Sequence, residues 1–73
     1  MAQERVEVPI TGRIISVNVK LGDEVKEGDT LCLLESMKME NPILAPVGGT
    51  VTQIDPSPGQ VVSTGDLVAI IEY

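Results

Sequence analysis

Residues 28–36 read Gly-Asp-Thr-Leu-Cys-Leu-Leu-Glu-Ser, and residues 65–73 repeat the pattern as Gly-Asp-Leu-Val-Ala-Ile-Ile-Glu-Tyr. In each copy, a Gly-Asp pair precedes an apolar run, and a glutamate follows that run. Short apolar runs bounded by turn residues are typical of buried β-strands. The two segments therefore predict a chain built from two related β halves.

The similarity extends over most of the chain. Adding 37 to each residue number aligns residues 9–36 with residues 46–73 without a gap, and seven aligned positions are identical. We infer internal repeats at about residues 5–36 and 42–73, within a single domain that spans residues 1–73. The identical pairs are Pro9/Pro46, Gly12/Gly49, Gly22/Gly59, Val25/Val62, Gly28/Gly65, Asp29/Asp66 and Glu35/Glu72.

Each half is predicted to contain four short strands. Ten valines and seven isoleucines favour strands, and with Tyr73 as the sole aromatic residue the core must be aliphatic. Two such halves bury their apolar faces against each other best as an all-β flattened barrel or sandwich with a pseudo-two-fold axis. The predicted strands are Arg5–Pro9, Arg13–Val19, Glu24–Lys26, Thr30–Leu34, Asn41–Ala45, Thr50–Ile54, Gln60–Val62 and Leu67–Ile71.

The pattern also predicts which side chains are buried. Alternation would place Ile15, Val17 and Val19 on one face of the second strand. The apolar run Thr30–Leu34 suits a strand that is buried on both sides, and it includes Cys32, which we expect to be an inert core residue.

Glycines mark the predicted turns. Gly12, Gly28 and Gly65 lie where strands meet turns, and we expect a positive φ at all three.

Composition and charge narrow the function classes. The net charge of −6 disfavours nucleic acid and anionic membranes as partners, because both attract clusters of Lys and Arg. No stretch approaches the roughly 18 apolar residues of a membrane span, and residues 1–5 do not begin a signal peptide. With no histidine and one cysteine, the sequence predicts neither a metal site nor a catalytic residue. We expect a cytoplasmic, non-enzymatic domain.

Lys38 lies between Met37 and Met39 in the link that joins the two halves. The 37-residue offset makes this link the counterpart of the C-terminus, so Lys38 should project from one end of the domain and both termini from the other. Tight hairpins favour Asn-Gly or Asp-Gly, and a Met-Lys turn breaks that rule. Local rules are often broken at functional sites, and two methionines in polar surroundings suit recognition better than a core.

Residues 35–40, Glu-Ser-Met-Lys-Met-Glu, resemble the biotin-attachment motif of biotin carboxyl carrier proteins and related biotin/lipoyl attachment domains. The resemblance covers essentially the whole chain, including the glycines of the turns. It implies two four-stranded antiparallel sheets with an exposed lysine hairpin. The short link Val19–Gly22 leaves no room for the additional "thumb" of some bacterial carriers, so the chain resembles the thumbless type. Ser36 stands where alanine is frequent in this family.

The resemblance implies that biotin is attached covalently to Lys38. Glu35, Met37, Met39 and Glu40 are the residues expected to be recognised by a biotin protein ligase. The implied function is that of a carrier, which transfers a carboxyl group from a biotin carboxylase to a carboxyltransferase or decarboxylase partner.

Two other functions remain open from the sequence. One is a lipoyl carrier domain of an acyl-transfer complex, which methionine at positions 37 and 39 disfavours. The other is a purely structural sandwich domain, such as part of a membrane-fusion adaptor, which would not need this motif. The sequence does not identify the acceptor substrate.

Overall fold

The computed structural model describes residues 2–73, which form eight short β-strands. These residues contain no helix that is long and apolar enough to cross a membrane. The strands are β1 (Gln3–Glu7), β2 (Gly12–Val17), β3 (Glu24–Val25), β4 (Thr30–Ser36), β5 (Met39–Leu44), β6 (Gly49–Ile54), β7 (Val61–Val62) and β8 (Leu67–Glu72).

The strands form two four-stranded antiparallel sheets, as predicted. The terminal sheet has the order β1-β8-β6-β3, and the hairpin sheet has the order β5-β4-β2-β7. Each sheet takes two strands from each half of the chain. The halves are equivalent in structure: adding 37 to the bounds of β2 and β3 gives the bounds of β6 and β7.

Four turns of one geometry connect the short strands. In each, the third residue is a glycine with φ between 87° and 92°, as a type II turn requires. The N–H of the fourth residue donates to the carbonyl of the first at 3.0–3.1 Å, and the side chain of the fourth accepts from the N–H of the first at 2.8–3.0 Å. The positive φ predicted at Gly28 and Gly65 is confirmed. The turns are Lys20–Asp23, Lys26–Asp29, Ser57–Gln60 and Ser63–Asp66.

Each turn holds one buried residue of the opposite half of the chain. The glycine N–H donates to the carbonyl of one partner residue, and the N–H of the same partner donates to the carbonyl of the fourth turn residue. These backbone hydrogen bonds are 2.7–2.9 Å long. The four partners, taken in the order of the turns, are Val51, Ala45, Ile14 and Val8, and all four are buried. Because buried backbone groups must be paired, neither half can satisfy its own polar groups alone.

A bulge in β2 contradicts the predicted side-chain alternation. The register passes from Ile14 opposite Leu34 to Ser16 opposite Leu33, so Ile15 is an extra residue. Ile14 is completely buried and Ile15 is exposed. Val17 packs against the core on the same side as Ile14 rather than with Ile15. A bulge places two residues opposite one, which shifts the alternation by one position.

The prediction that Thr30–Leu34 is buried on both sides is also wrong. Leu31, Cys32 and Leu34 are buried, but Leu33 is only half-buried on the outer side of the sheet. A register shift between Thr30 and Cys32 places two consecutive residues in the core. Burial raises the pKa of the Cys32 thiol to about 11, which keeps it protonated at neutral pH.

Gly12 does not have the positive φ that we predicted. It is required for a different reason: a Cβ at this position would clash with the backbone carbonyl oxygen of Glu35 on β4. Its counterpart Gly49 approaches the carbonyl oxygen of Glu72 in the same way. These glycines allow neighbouring strands to approach closely, rather than allowing a turn.

Gly28→Ala is expected to destabilise the domain by about 1–2 kcal/mol, the usual cost of a left-handed conformation for an L-residue with a Cβ. No atom lies within 4 Å of the position that a Cβ would take, so the cost comes from the φ of 92° and not from a clash. Denaturant unfolding of the variant and the wild type measures this cost. A transition midpoint that is unchanged or higher in Gly28→Ala would contradict the type II turn.

Candidate functional site

The β4–β5 hairpin turns in two residues, Met37 and Lys38. Ser36 pairs with Met39 at the last position of the ladder, and φ is 53° at Met37 and 66° at Lys38. Two consecutive positive φ values define a type I′ turn, which normally carries Asn-Gly or a similar pair. Non-glycine residues rarely adopt this conformation, and here two longer side chains adopt it in succession. The turn therefore holds Met37 and Lys38 against their local preference.

All three side chains of the Met-Lys-Met segment are exposed. Met37 is 92% exposed and Met39 is 67% exposed, so neither belongs to the core, as predicted. Lys38 is also exposed, and within residues 2–73 no carboxylate forms a salt bridge with it. Its amine is thus accessible to a second protein, and an acyl group on that amine would extend into solvent without displacing any packed side chain.

The hairpin is anchored to the first half of the chain through Thr11. The Ser36 hydroxyl donates a 3.0 Å hydrogen bond to the Thr11 carbonyl, and the Thr11 hydroxyl accepts a 3.3 Å bond from the Thr64 N–H. The hairpin base is therefore tied to the turn Ser63–Asp66. The sequence reasoning missed Thr11, because its repeat counterpart is Gly48 and the pattern carries no signal for the contact.

Ala2 and Tyr73 lie at the opposite end from Lys38. Ala2 and Tyr73 exchange backbone hydrogen bonds of 2.8 and 2.9 Å, and the offset makes this pair the counterpart of Met39 and Ser36. From this pair, β1 and the residues that follow it run to Thr11 at the hairpin base. The domain is 36 Å long and 17–18 Å across. The termini therefore mark the base of the domain and Lys38 its tip.

Charged side chains flank the hairpin on the outer face of its sheet. Glu35 lies directly opposite Glu40 on β5 and opposite Arg13 on β2, and all three are exposed. Like charges directly opposite each other are destabilising. No salt bridge within residues 2–73 involves either glutamate. These predicted recognition residues are thus together beside Lys38, with their charges available to a partner.

A cavity within residues 2–73 is not part of this site. It has a volume of about 200 Å³ and lies among the turns of the second half. Asp55, Gln60 and Asp66 contribute its polar lining, and none of the predicted site residues borders it.

Comparison with known proteins places this geometry in a family. The chain is 47% identical over 93% of its length to a protein of Mycobacterium leprae named "Biotinylated protein TB7.3 homolog", of which it covers 96%. It is 46% identical over 89% of its length to a "Biotin carboxyl carrier protein" of Streptococcus mutans, of which it covers 50%. Its structure is similar to part of the Kluyveromyces lactis urea carboxylase, with a TM-score of 0.91 and 35% sequence identity. The match covers 99% of this chain and 6% of the urea carboxylase.

The family profile described as "Biotin-requiring enzyme" matches residues 4–71, which include both sheets and the entire lysine hairpin. The sequence motif, the exposed turn and these similarities agree on one assignment: the chain belongs to the biotin/lipoyl attachment family.

Proposed function

We propose that this domain is a biotin carboxyl carrier in which Lys38 bears the biotin. The observation that carries the proposal is the type I′ turn at the tip, where Lys38 is exposed between two exposed methionines. Such a turn presents the amine at the end of the domain opposite to Ala2 and Tyr73. In the proposed reaction, the chain carries a carboxyl group from a biotin carboxylase to a carboxyltransferase or decarboxylase.

Attachment requires a biotin protein ligase. Lysine amines are protonated at neutral pH, so the ligase must remove a proton and supply biotin as an acyl-adenylate. The Lys38 nitrogen then attacks the acyl carbon, an amide bond forms, and AMP leaves. The product carries no charge at this position. Glu35, Met37, Met39 and Glu40 are proposed to bind the ligase because they surround Lys38 and are exposed.

After attachment, the residues of this chain present and tether the group. Biotin supplies a ureido nitrogen that accepts and releases a carboxyl group. The sandwich keeps the attachment point at the end of the domain opposite to Ala2 and Tyr73, and the tether raises the local concentration of the group at each partner site. We propose that the chain itself is not catalytic, and that each reaction takes place in a partner.

Intact mass spectrometry of protein co-expressed with a biotin protein ligase tests the proposal. We expect a single biotin adduct, and peptide mapping should place it on Lys38. Lys20 and Lys26 serve as internal controls, because they lie in turns without flanking methionines. A lipoyl adduct would indicate the acyl-transfer alternative, and an unmodified chain would contradict both carrier functions.

A further inference from the structure

The outer side of the hairpin sheet carries an apolar face made of Ile15, Leu33, Pro42, Leu44 and Val61. Four of these side chains are exposed and Leu33 is half-buried. Leu33 lies directly opposite Pro42, and Leu44 is two residues further along the same strand. The bulged Ile15 lies beside Leu33, at the register shift between β2 and β4. The apolar face is therefore continuous across β2, β4 and β5, and Val61 on β7 lies at its edge, opposite Arg13.

The pseudo-symmetry supplies an internal comparison, because the terminal sheet has an equivalent outer side. On that side, the counterpart of Leu33 is also apolar, namely Ile70. The other four apolar residues, Ile15, Pro42, Leu44 and Val61, correspond to Thr52, Arg5, Glu7 and Glu24, which are all exposed and polar. The fold thus tolerates polar residues at these positions, and stability does not require the apolar face. Contiguous exposed apolar residues with a polar rim mark interaction sites.

The position of the apolar face identifies its partner. It begins two residue pairs from Glu35 and Glu40, at the next pair on the same side of the same sheet. An enzyme that acylates Lys38 must bring its active site within bonding distance of the amine, so its surface must contact the body of the domain beside the hairpin. Enzymes that act on the attached group reach it at the end of the added arm, which is not yet present when Lys38 is acylated.

The net charge of the chain also favours the acylating enzyme, rather than a second copy of this chain, as the partner. Two copies would each have a net charge of −6 and would bring their glutamates together at the rim. An acylating enzyme with an apolar centre and a cationic edge would instead complement both the apolar face and the Glu35–Glu40 pair.

We propose that the apolar face is a docking surface for the ligase that acylates Lys38, an inference that rests on the proposed carrier function. The face extends recognition beyond the hairpin to residues on β2, β4, β5 and β7. Apolar contacts of this kind hold the substrate equally before and during the reaction, so their loss should raise KM and leave kcat unchanged.

The test is steady-state biotinylation by a biotin protein ligase of the variant Ile15→Thr/Leu44→Thr/Val61→Thr. Threonine suits strands and leaves the net charge unchanged. We expect KM to rise roughly tenfold or more with kcat unchanged, because several central apolar contacts are lost together. The matched control Leu21→Thr/Tyr73→Thr removes exposed apolar surface from other places and should keep the wild-type KM. Leu44→Thr alone, expected to raise KM about threefold, provides a test should the triple variant not fold.

Other results would overturn the proposal in distinguishable ways. Failure of the wild type to be biotinylated would remove the carrier function and this inference together. A biotinylated wild type with an unchanged KM in the folded triple variant would overturn the docking surface alone. A KM increase confined to carboxylation of the already biotinylated domain would assign the apolar face to the carboxylase. A wild-type dimer that the triple variant dissociates, measured by light scattering, would assign it to a second copy.

Discussion

Lys38→Arg is expected to abolish biotinylation while leaving the domain folded. Arginine retains the positive charge, but its guanidinium offers no attackable amine at neutral pH. Lys38 is exposed, contributes to no salt bridge within residues 2–73 and lies outside the core, so the free energy of unfolding should change by less than about 0.5 kcal/mol. Streptavidin blotting should give no signal, and carboxyl transfer with the partner enzymes should stop.

The control for this variant is Lys20→Arg, which changes a lysine in the turn Lys20–Asp23 and should be biotinylated like the wild type. Thermal unfolding of both variants separates folding from function. If Lys38→Arg unfolds, then Lys38 has a structural role. If the folded variant still binds streptavidin, biotin is attached at another residue and the assignment of Lys38 is wrong.

Gly49→Ala should produce the largest loss of stability among single methyl additions considered for this chain. The added Cβ would clash with the carbonyl oxygen of Glu72 and would lie 2.8 Å from Cγ2 of Ile71, which is completely buried. The backbone oxygen belongs to a neighbouring strand and cannot rotate away. Overpacking of this kind costs about 1–3 kcal/mol, which lowers the Tm of a domain of this size by roughly 4–8 °C per kcal/mol.

Gly48→Ala is the matched control, because the same methyl group is added one residue away. Its nearest neighbour would be the Val25 carbonyl oxygen at 3.4 Å, and Gly48 does not have a positive φ. We therefore expect a much smaller change in Tm than for Gly49→Ala. Equal Tm values for the two variants in differential scanning calorimetry would contradict the close approach of β6 and β8.

The sequence by itself was sufficient for the features that depend on local chemistry and on the repeat. The glycines predicted the turns on either side of the short strands, because few residues other than glycine adopt a positive φ. The mismatch between a Met-Lys pair and a tight turn pointed to Lys38, and the turn does have two positive φ values. The 37-residue offset placed this lysine and the termini at opposite ends, since a repeat implies equivalent positions in the fold.

The tertiary structure alone decided the features that depend on strand pairing. Simple alternation predicted the wrong face for Ile15, because a bulge depends on how β2 pairs with β4. The sequence of one strand does not reveal this pairing. Gly12 was assigned to a turn because composition cannot distinguish a glycine that is needed for its φ from one that is needed for space. Thr11 supports the hairpin through a contact 25 residues away in the chain. Such long-range contacts are determined by packing, which no local pattern encodes.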